Sequence, residues 1–334
     1  MLRTVEIIGG GLAGLSLGIG LRARGIPVRI FEAGTYPRHR VCGEFIAGLD
    51  EHTRSTLQLD ELLQSARPAT SVAWFEPDEN PMRHRLPRPA LCLSRFRLDA
   101  EMAEAFRTAG GDLRTAQRAA TEPAEGRVMA CGRRPLSSSR WIGLKQHFHD
   151  LQIVDDLEVH LGHRSYVGLT RVEGSTVNVC GLFPRPMAGE SAALGDRIRA
   201  VGLPRLAERL AKADPVDGSE CAVAGLDYTA RGRVPAAIGD HIGLIPPFTG
   251  NGMTIALQSA AAALEQFEAW SRGVIDWSEA VTRVSRGLRQ RFKRRLFAAR
   301  LMHPCLLHPR PRQVAHALHR CGILPFGLLY RLSH

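Results

Sequence analysis

The apolar positions of this chain change their spacing along its length, and the spacing predicts where strands give way to helices. Thr4-Val5-Glu6-Ile7-Ile8 carries no charge after Glu6 and reads as a buried first strand. Gly9-Gly10-Gly11-Leu12-Ala13-Gly14 follows, then a helical stretch from Leu15 to Leu21, then a second strand, Val28-Arg29-Ile30-Phe31, ending at Glu32. Residues 51–66 read as a surface helix, and residues 70–93 alternate like strands around a Pro-rich turn. Ser94 to Asp99 opens a helix that runs to about Ala109 and stops at Gly110-Gly111. Arg127 to Gly132 reads as a short apolar strand.

From Trp141 to Phe183 the period becomes two, which predicts four successive antiparallel strands. Trp141, Gly143, Lys145 and His147 fall on one face of the first of them. That face either lines a substrate pocket or is the solvent face of a half-buried sheet. A helical stretch over residues 191–213 follows. An apolar strand then ends at Gly239-Asp240, and a Pro–Gly loop leads into an Ala-rich helix from about Asn251 to Trp270.

This order of elements predicts an α/β fold: a Rossmann-like nucleotide domain with a parallel sheet, an antiparallel sheet inserted into it, and a helical C-terminal tail. The nucleotide domain is expected from residues 1–65, 94–135 and 225–270. The substrate-binding sheet is expected from residues 70–93 and 136–224, and the tail from residues 271–334.

The glycine-rich turn gives the first chemistry. In a strand–turn–helix–strand unit, Gly9 permits the tight turn, Gly11 lets a pyrophosphate approach the backbone, and Gly14 lets helix and strand pack closely. The helix N-terminus, at Leu12 and Ala13, offers free N–H groups to an anion. Glu32, at the end of the second strand, has the position of an acid that binds a ribose hydroxyl. Arg38 and Arg40, in the loop that follows, either reach the phosphates or belong to a solvated basic loop. Arg95 is either a phosphate or flavin contact or part of the helix start. Gly239, Asp240 and the segment from Pro247 through Gly250, Asn251, Gly252 and Met253 form a second glycine loop at a helix N-terminus, which suits a cofactor's sugar chain and the edge of its ring.

Charge changes the picture at one end only. The chain of 334 residues has a net charge of +11, and residues 271–334 carry 13 Lys+Arg against Asp276 and Glu279 alone, the whole of that excess. Val281, Val284, Leu288, Phe292 and Ala299 recur at helical spacing among Arg283, Arg286, Arg289 and Lys293, a pattern for an anionic membrane surface or for an ordinary packed helix. Basic residues without interleaved aromatics argue against nucleic acid. Seven cysteines without C-x-x-C pairs suggest free thiols in a reducing compartment. With no leader before the first strand and no apolar run long enough for a bilayer, the expected location is cytoplasmic, with peripheral membrane contact open.

Taken together and in order, Gly9-x-Gly11-x-x-Gly14 with Glu32, Arg-x-Arg-x-Cys-Gly, Ser-Arg-x-x-Leu-Asp, and Gly-Asp with Pro-x-Thr-Gly-Asn-Gly resemble the flavoproteins related to para-hydroxybenzoate hydroxylase. The likeness is greater to the geranylgeranyl-reductase-like branch. The resemblance implies FAD, with Gly9, Gly11 and Gly14 at the pyrophosphate, Glu32 at the adenine ribose, and Arg95 and Asp240 near the phosphates or the ribityl chain. It places Pro247 to Met253 beside the pyrimidine side of the flavin. Cys42 resembles a cysteine that relatives hold near the flavin, and with Lys145 and His147 it completes the catalytic candidates.

The departures are specific. Family hydroxylases carry an Asp-Gly pair where this chain has Cys131-Gly132, and the Trp-x-Trp-x-Ile-Pro motif of flavin halogenases is absent. No second glycine-rich dinucleotide fold is present, so NAD(P)H fits only as a transient electron donor. The implied function is FAD-dependent redox chemistry on a bulky apolar molecule, isoprenoid- or polyketide-like, by reduction or oxidation of a carbon–carbon bond. Monooxygenation with NAD(P)H and O2, or a non-redox use of flavin, are the alternatives.

Overall fold

The computed structural model describes residues 1–77, 80–132, 139–185, 191, 193–224, 235–242 and 250–334. Along the chain, β1 (Val5–Ile8), α1 (Leu12–Ala23) and β2 (Val28–Phe31) lead to β3 (Phe45–Ile46) and two short helices, α2 (Glu51–Thr56) and α3 (Asp60–Leu63). Two long strands, β4 (Arg67–Phe75) and β5 (Met82–Cys92), precede α4 (Arg95–Thr108), β6 (Asp112–Arg114) and β7 (Arg127–Met129). The middle of the chain is β8 (Trp141–His149), β9 (Leu157–Gly162), β10 (Ser165–Arg171) and β11 (Thr176–Pro184). After α5 (Leu194–Ala200) and α6 (Pro204–Ala211) come the short strands β12 (Asp214–Pro215) and β13 (Cys221–Ala224). Four helices close the chain: α7 (Gly252–Ser271), α8 (Trp277–Leu307), α9 (Pro309–Arg320) and α10 (Phe326–Ser333).

The first sheet is parallel, in the order β6-β2-β1-β7. β1 and β2 bury Val5, Ile7, Ile8, Val28 and Ile30, and α1 packs against α4 and α7 over a core that includes Ile7, Leu15, Ile30, Phe106 and Leu264. The strand expected before Gly239 is reduced to a parallel bridge between Ala237 and Met129, held by Ile238 N–H to Met129 O at 2.9 Å. Gly239–His241 then turns as a single 3-10 helix.

The second sheet runs β12-β8-β11-β10-β9-β4-β5-β3, with β13 also on β8. It is mixed rather than wholly antiparallel, because β4 pairs with β9 in parallel. The four period-two strands are antiparallel neighbours, but not in succession: β9, β10 and β11 pair in chain order, while β8 pairs with β11 rather than with β9. Residues 45–46, expected in the nucleotide domain, join this sheet as β3 on β5.

The basic tail is a packed helix. Val284, Leu288, Phe292 and Ala299 are buried within the first core, and α8 lies along α7 with Arg283, Arg286, Arg289 and Lys293 turned outward. The stripe that suited a membrane surface is therefore occupied by the chain's own α7. No helix among the described residues is long and apolar enough to cross a membrane.

Histidines fasten the tail to the second sheet. His84 on β5 stacks on Phe326 of α10 at 4.2 Å and meets His319 of α9 edge-on at 4.8 Å, and His303 of α8 faces Trp141 at 6.5 Å. Burial, with His319 adding to it, holds His84 down to about 4, and burial does the same for His303. Both lie below the ordinary histidine value, so between about 6.5 and 4 the unfolded chain binds more protons than the folded one. Their contribution is complete above about pH 6.5 and is lost as pH falls towards 4. Thermal unfolding at pH 7 and pH 5 is expected to show lower stability at pH 5, with hydrogen exchange rising first in α9 and α10. A flat profile would contradict the tail contacts.

Candidate cofactor cleft and active site

The glycine turn has the geometry its spacing predicts. Gly9 sits at φ +111°, and a Cβ there would lie 2.4 Å from Ala130 O. A Cβ on Gly14 would lie 2.0 Å from Gly9 O, so only glycine lets α1 start this close to β1. Gly11 is the opposite case: a Cβ there would meet nothing within 4 Å. Gly11 is also the N-cap of α1, and no side chain caps it, which leaves the first-turn N–H groups available to an anion.

Glu32 follows the last residue of β2 beneath this turn and is buried. Its Oε2 accepts from Gly10 N–H at 2.9 Å, and its Oε1 accepts from Gly34 N–H at 2.8 Å and from Arg38 Nη2 at 2.8 Å. The adjacent Tyr36 hydroxyl donates to Gly10 O. The acid and the glycine turn are thus one hydrogen-bonded unit.

Arg40 and Arg95 share a second acid. Asp99, one turn into α4 and fully buried, accepts two bonds from Arg95, at 2.7 and 2.8 Å, and one from Arg40 Nε at 2.8 Å. Burial works against the Arg95 cation, but Asp99 outweighs it and holds the guanidinium above its ordinary range. Ser94 caps α4 by accepting from Arg97 N–H, so capping and clamping fall to different residues.

These groups line one cleft of about 800 Å³. Gly9, Gly11, Leu12, Ala13, Glu32 and Arg38 line it, as do Arg40, Cys42, Arg95, Gly239, Asp240, Gly250, Gly252 and Met253. Gly14 packs behind the turn. Asn251, also expected at the cofactor, is buried and donates from Nδ2 to Ser333 O, near the end of the chain. Pro247 lies outside the described residues.

Lys145 and His147 are buried, so the face they share on β8 is an internal one, covered by the loop that leaves β2. Glu44 is what covers it. This residue, at φ 59° and fully buried, places Oε2 at 2.6 Å from His147 Nε2 and Oε1 at 3.5 Å from Lys145 Nζ. Lys145 Nζ lies 2.9 Å from Nδ1 of His39, and His39 lines the cleft. His39 stacks on Phe96 at 4.4 Å and meets His147 edge-on at 5.0 Å. Burial, then the neighbouring Lys145 and His147, bring His39 down to about 4, so it is neutral at pH 7. Cys180 on β11 and Cys221 on β13 stand opposite Lys145 from its two sides.

Cys42 accepts from Glu44 N–H at 3.4 Å, and its carbonyl accepts from Asn178 Nδ2 at 2.9 Å. Burial is the main influence on its thiol and pushes it up, more than nearby Arg95 pulls it down. It is therefore a neutral thiol on the cleft wall rather than a thiolate nucleophile. Sequence reading did not single out Glu44 or His39, both within a loop whose several charges conceal which of them turn inward. Asp99 was noted only as part of a helix start.

No family model matches the chain, and no curated protein matches it by sequence. Solved structures do. The flavin-dependent brominase Bmp2 is 17% identical with a TM-score of 0.72, over 99% of this chain and 93% of that one. A geranylgeranyl bacteriochlorophyll reductase-like protein from Thermoplasma acidophilum is 16% identical with a TM-score of 0.71, over 94% and 90%. A flavoprotein/dehydrogenase from Cytophaga hutchinsonii is 14% identical, also with a TM-score of 0.71, over 95% and 88%. These likenesses extend over nearly the full length of each chain, and the α/β fold built on the glycine turn is the fold of these flavoproteins.

Proposed function

We propose that this chain is an FAD-dependent oxidoreductase of the superfamily it resembles, acting on a bulky, largely apolar small molecule by reducing or oxidising a carbon–carbon bond. The observation that carries this reading is the open space over Gly11, at an uncapped helix N-terminus and in the same cleft as His39, which the buried Lys145 contacts from behind. A pyrophosphate fits where a Cβ would otherwise point, and the first-turn N–H groups of α1 bind it. Glu32 takes a ribose hydroxyl in exchange for Arg38, which then turns to the phosphates. Arg95, pinned by Asp99, presents a fixed positive charge to the cofactor's chain. The N-terminus of α7, with Gly252 and Met253 on the cleft, favours negative charge on the ring edge above it.

When bound, FAD would supply or accept the hydride. The protein's own part is to hold substrate against Val41, Phe45 and Val223 on the cleft wall and to move the accompanying proton. Lys145 does not line the cleft, and it is already engaged by Glu44 and His39. Electrons would come from a transient NAD(P)H.

The test is spectroscopic. Purified protein is expected to show an oxidised-flavin band, as isolated or after addition of FAD, and no band in either case would end the proposal. The anaerobically reduced protein is then mixed with oxygenated buffer in a stopped-flow cell. Direct return of the oxidised band is expected for the carbon–carbon reaction. A distinct transient spectrum before that return would move the assignment to monooxygenation.

A further inference from the structure

Of the linked side chains Glu44, Lys145, His147 and His39 behind the cleft, it is His39 that lines the cavity. Lys145 carries only donors when charged, so the bond of 2.9 Å to His39 runs from Nζ–H to Nδ1. A neutral imidazole that accepts at Nδ1 must hold its hydrogen at Nε2. Nε2 has no hydrogen-bond partner among the described residues, while the ring itself lines the cleft. Behind Lys145 the chain of contacts continues through Glu44 Oε1 at 3.5 Å and Glu44 Oε2 to His147 Nε2 at 2.6 Å. The charged and titratable groups around this path are Lys145 and His147 from β8, Glu44 and Cys42 from the loop, Arg95 at the start of α4, whose backbone N–H donates to Glu44 Oε1 at 3.1 Å, and the thiols of Cys180 and Cys221 beside Lys145.

We propose that His39 is the proton-delivering residue of the cleft, fed by Lys145 through Nδ1, with Glu44 and His147 as the positioning groups of a buried proton path. In delivery, the Nε2–H bond of His39 breaks and its proton passes to the substrate atom that carries the developing negative charge. Nδ1 takes a proton from the Lys145 ammonium, which leaves a neutral imidazole in the other tautomer and a neutral amine. A solvent proton from the cleft then rejoins Nε2 of His39 and Nδ1 returns its proton to the amine, which restores both groups, while Glu44 and His147 hold the Lys145 side chain in place. No electrons move in these steps. Because Lys145 gives up a proton to Nδ1 as Nε2 releases one, His39 is neutral before and after delivery.

Only the identity of the proton's acceptor rests on the flavin reading, so the test uses the full chain free of cofactor. The readout is exchange of the Lys145 ammonium protons with water, followed by 15N NMR in the wild type and in His39→Phe and His39→Gln. Phenylalanine keeps the stacking on Phe96, and glutamine keeps a polar contact but cannot pass a proton along. If His39 is the route to the cleft, both variants slow exchange by about tenfold or more. A purely structural role would act the other way, since a loosened loop admits water and speeds exchange. Equal or faster exchange in the variants overturns the proposal, and so does a wild-type His39 whose Nδ1 carries the hydrogen at pH 7. Failure of FAD to bind would leave the exchange result intact and strike only the proposed function.

Discussion

Gly11→Glu is expected to abolish FAD retention in a protein that still folds. The reason is the contrast within the glycine turn. At Gly9 and Gly14 an added Cβ runs into backbone at 2.4 and 2.0 Å, so substitution there would damage the fold itself. At Gly11 it meets nothing within 4 Å, and the residue has ordinary extended backbone at φ −84°, so a side chain is tolerated by the apo structure. What it removes is the approach of a pyrophosphate to the N-terminus of α1, and a carboxylate adds repulsion to that loss. With charge-assisted hydrogen bonds at about 1.5–3 kcal/mol each, losing two of them weakens binding by roughly a hundredfold or more. Circular dichroism and thermal unfolding of the apo variant should match wild type, while titration with FAD should show no saturable band. Retained flavin in Gly11→Glu would remove the pyrophosphate from this turn and with it the proposed function.

The features that local pattern could carry were legible, and those that depend on distant chain were not. The turn from Ile8 to Gly14, the helix behind it and Glu32 at the end of the next strand are contiguous, and each residue's role follows from its neighbours within a few positions. The alternation through β8 to β11 likewise fixed which residues share a face. It did not say what covers that face. Lys145 and His147 could be read as lining a pocket or facing solvent, because the carboxylate that buries them lies about a hundred residues earlier in the chain, in a loop without period. Glu44 reaches them only through a positive φ, a backbone choice that glycine, asparagine or aspartate would advertise and glutamate does not.

The same limit explains Asn251 and the tail. Asn251 was read from its own glycine loop, yet its amide is taken by Ser333 O, eighty-two residues on. The stripe on α8 was amphipathic by any count, but amphipathicity states that a helix has an apolar face and is silent on the partner. Here the partner is α7, itself so rich in alanine that its sequence reads as buried all round. The parallel pairing of β4 with β9 left no mark either, since period two is common to both strand directions.

Asp99→Ala is expected to destabilise the protein by about 3–5 kcal/mol, because it leaves cationic partners buried without their acid. Asp99 is fully buried and makes three charge-assisted bonds, two to Arg95 and one to Arg40. Once it is gone, Arg40 keeps Glu32 as its one acidic partner among the described residues, at 3.7 Å, and the Arg95 side chain, 12% exposed, has little water to turn to. Urea unfolding of the apo protein should therefore show a midpoint well below wild type. Asp99→Asn, which keeps one acceptor oxygen but no charge, should fall between the two. The cofactor then separates two roles for the clamp. If Arg40 and Arg95 are held at the cleft to meet an anionic chain, a bound pyrophosphate restores part of the missing countercharge, and saturating FAD should raise the midpoint of Asp99→Ala by more than it raises that of wild type. If they serve only to brace α4 against the loop, FAD should stabilise both proteins equally, and the two arginines would leave the list of cofactor contacts while Asp99 keeps its place in the fold.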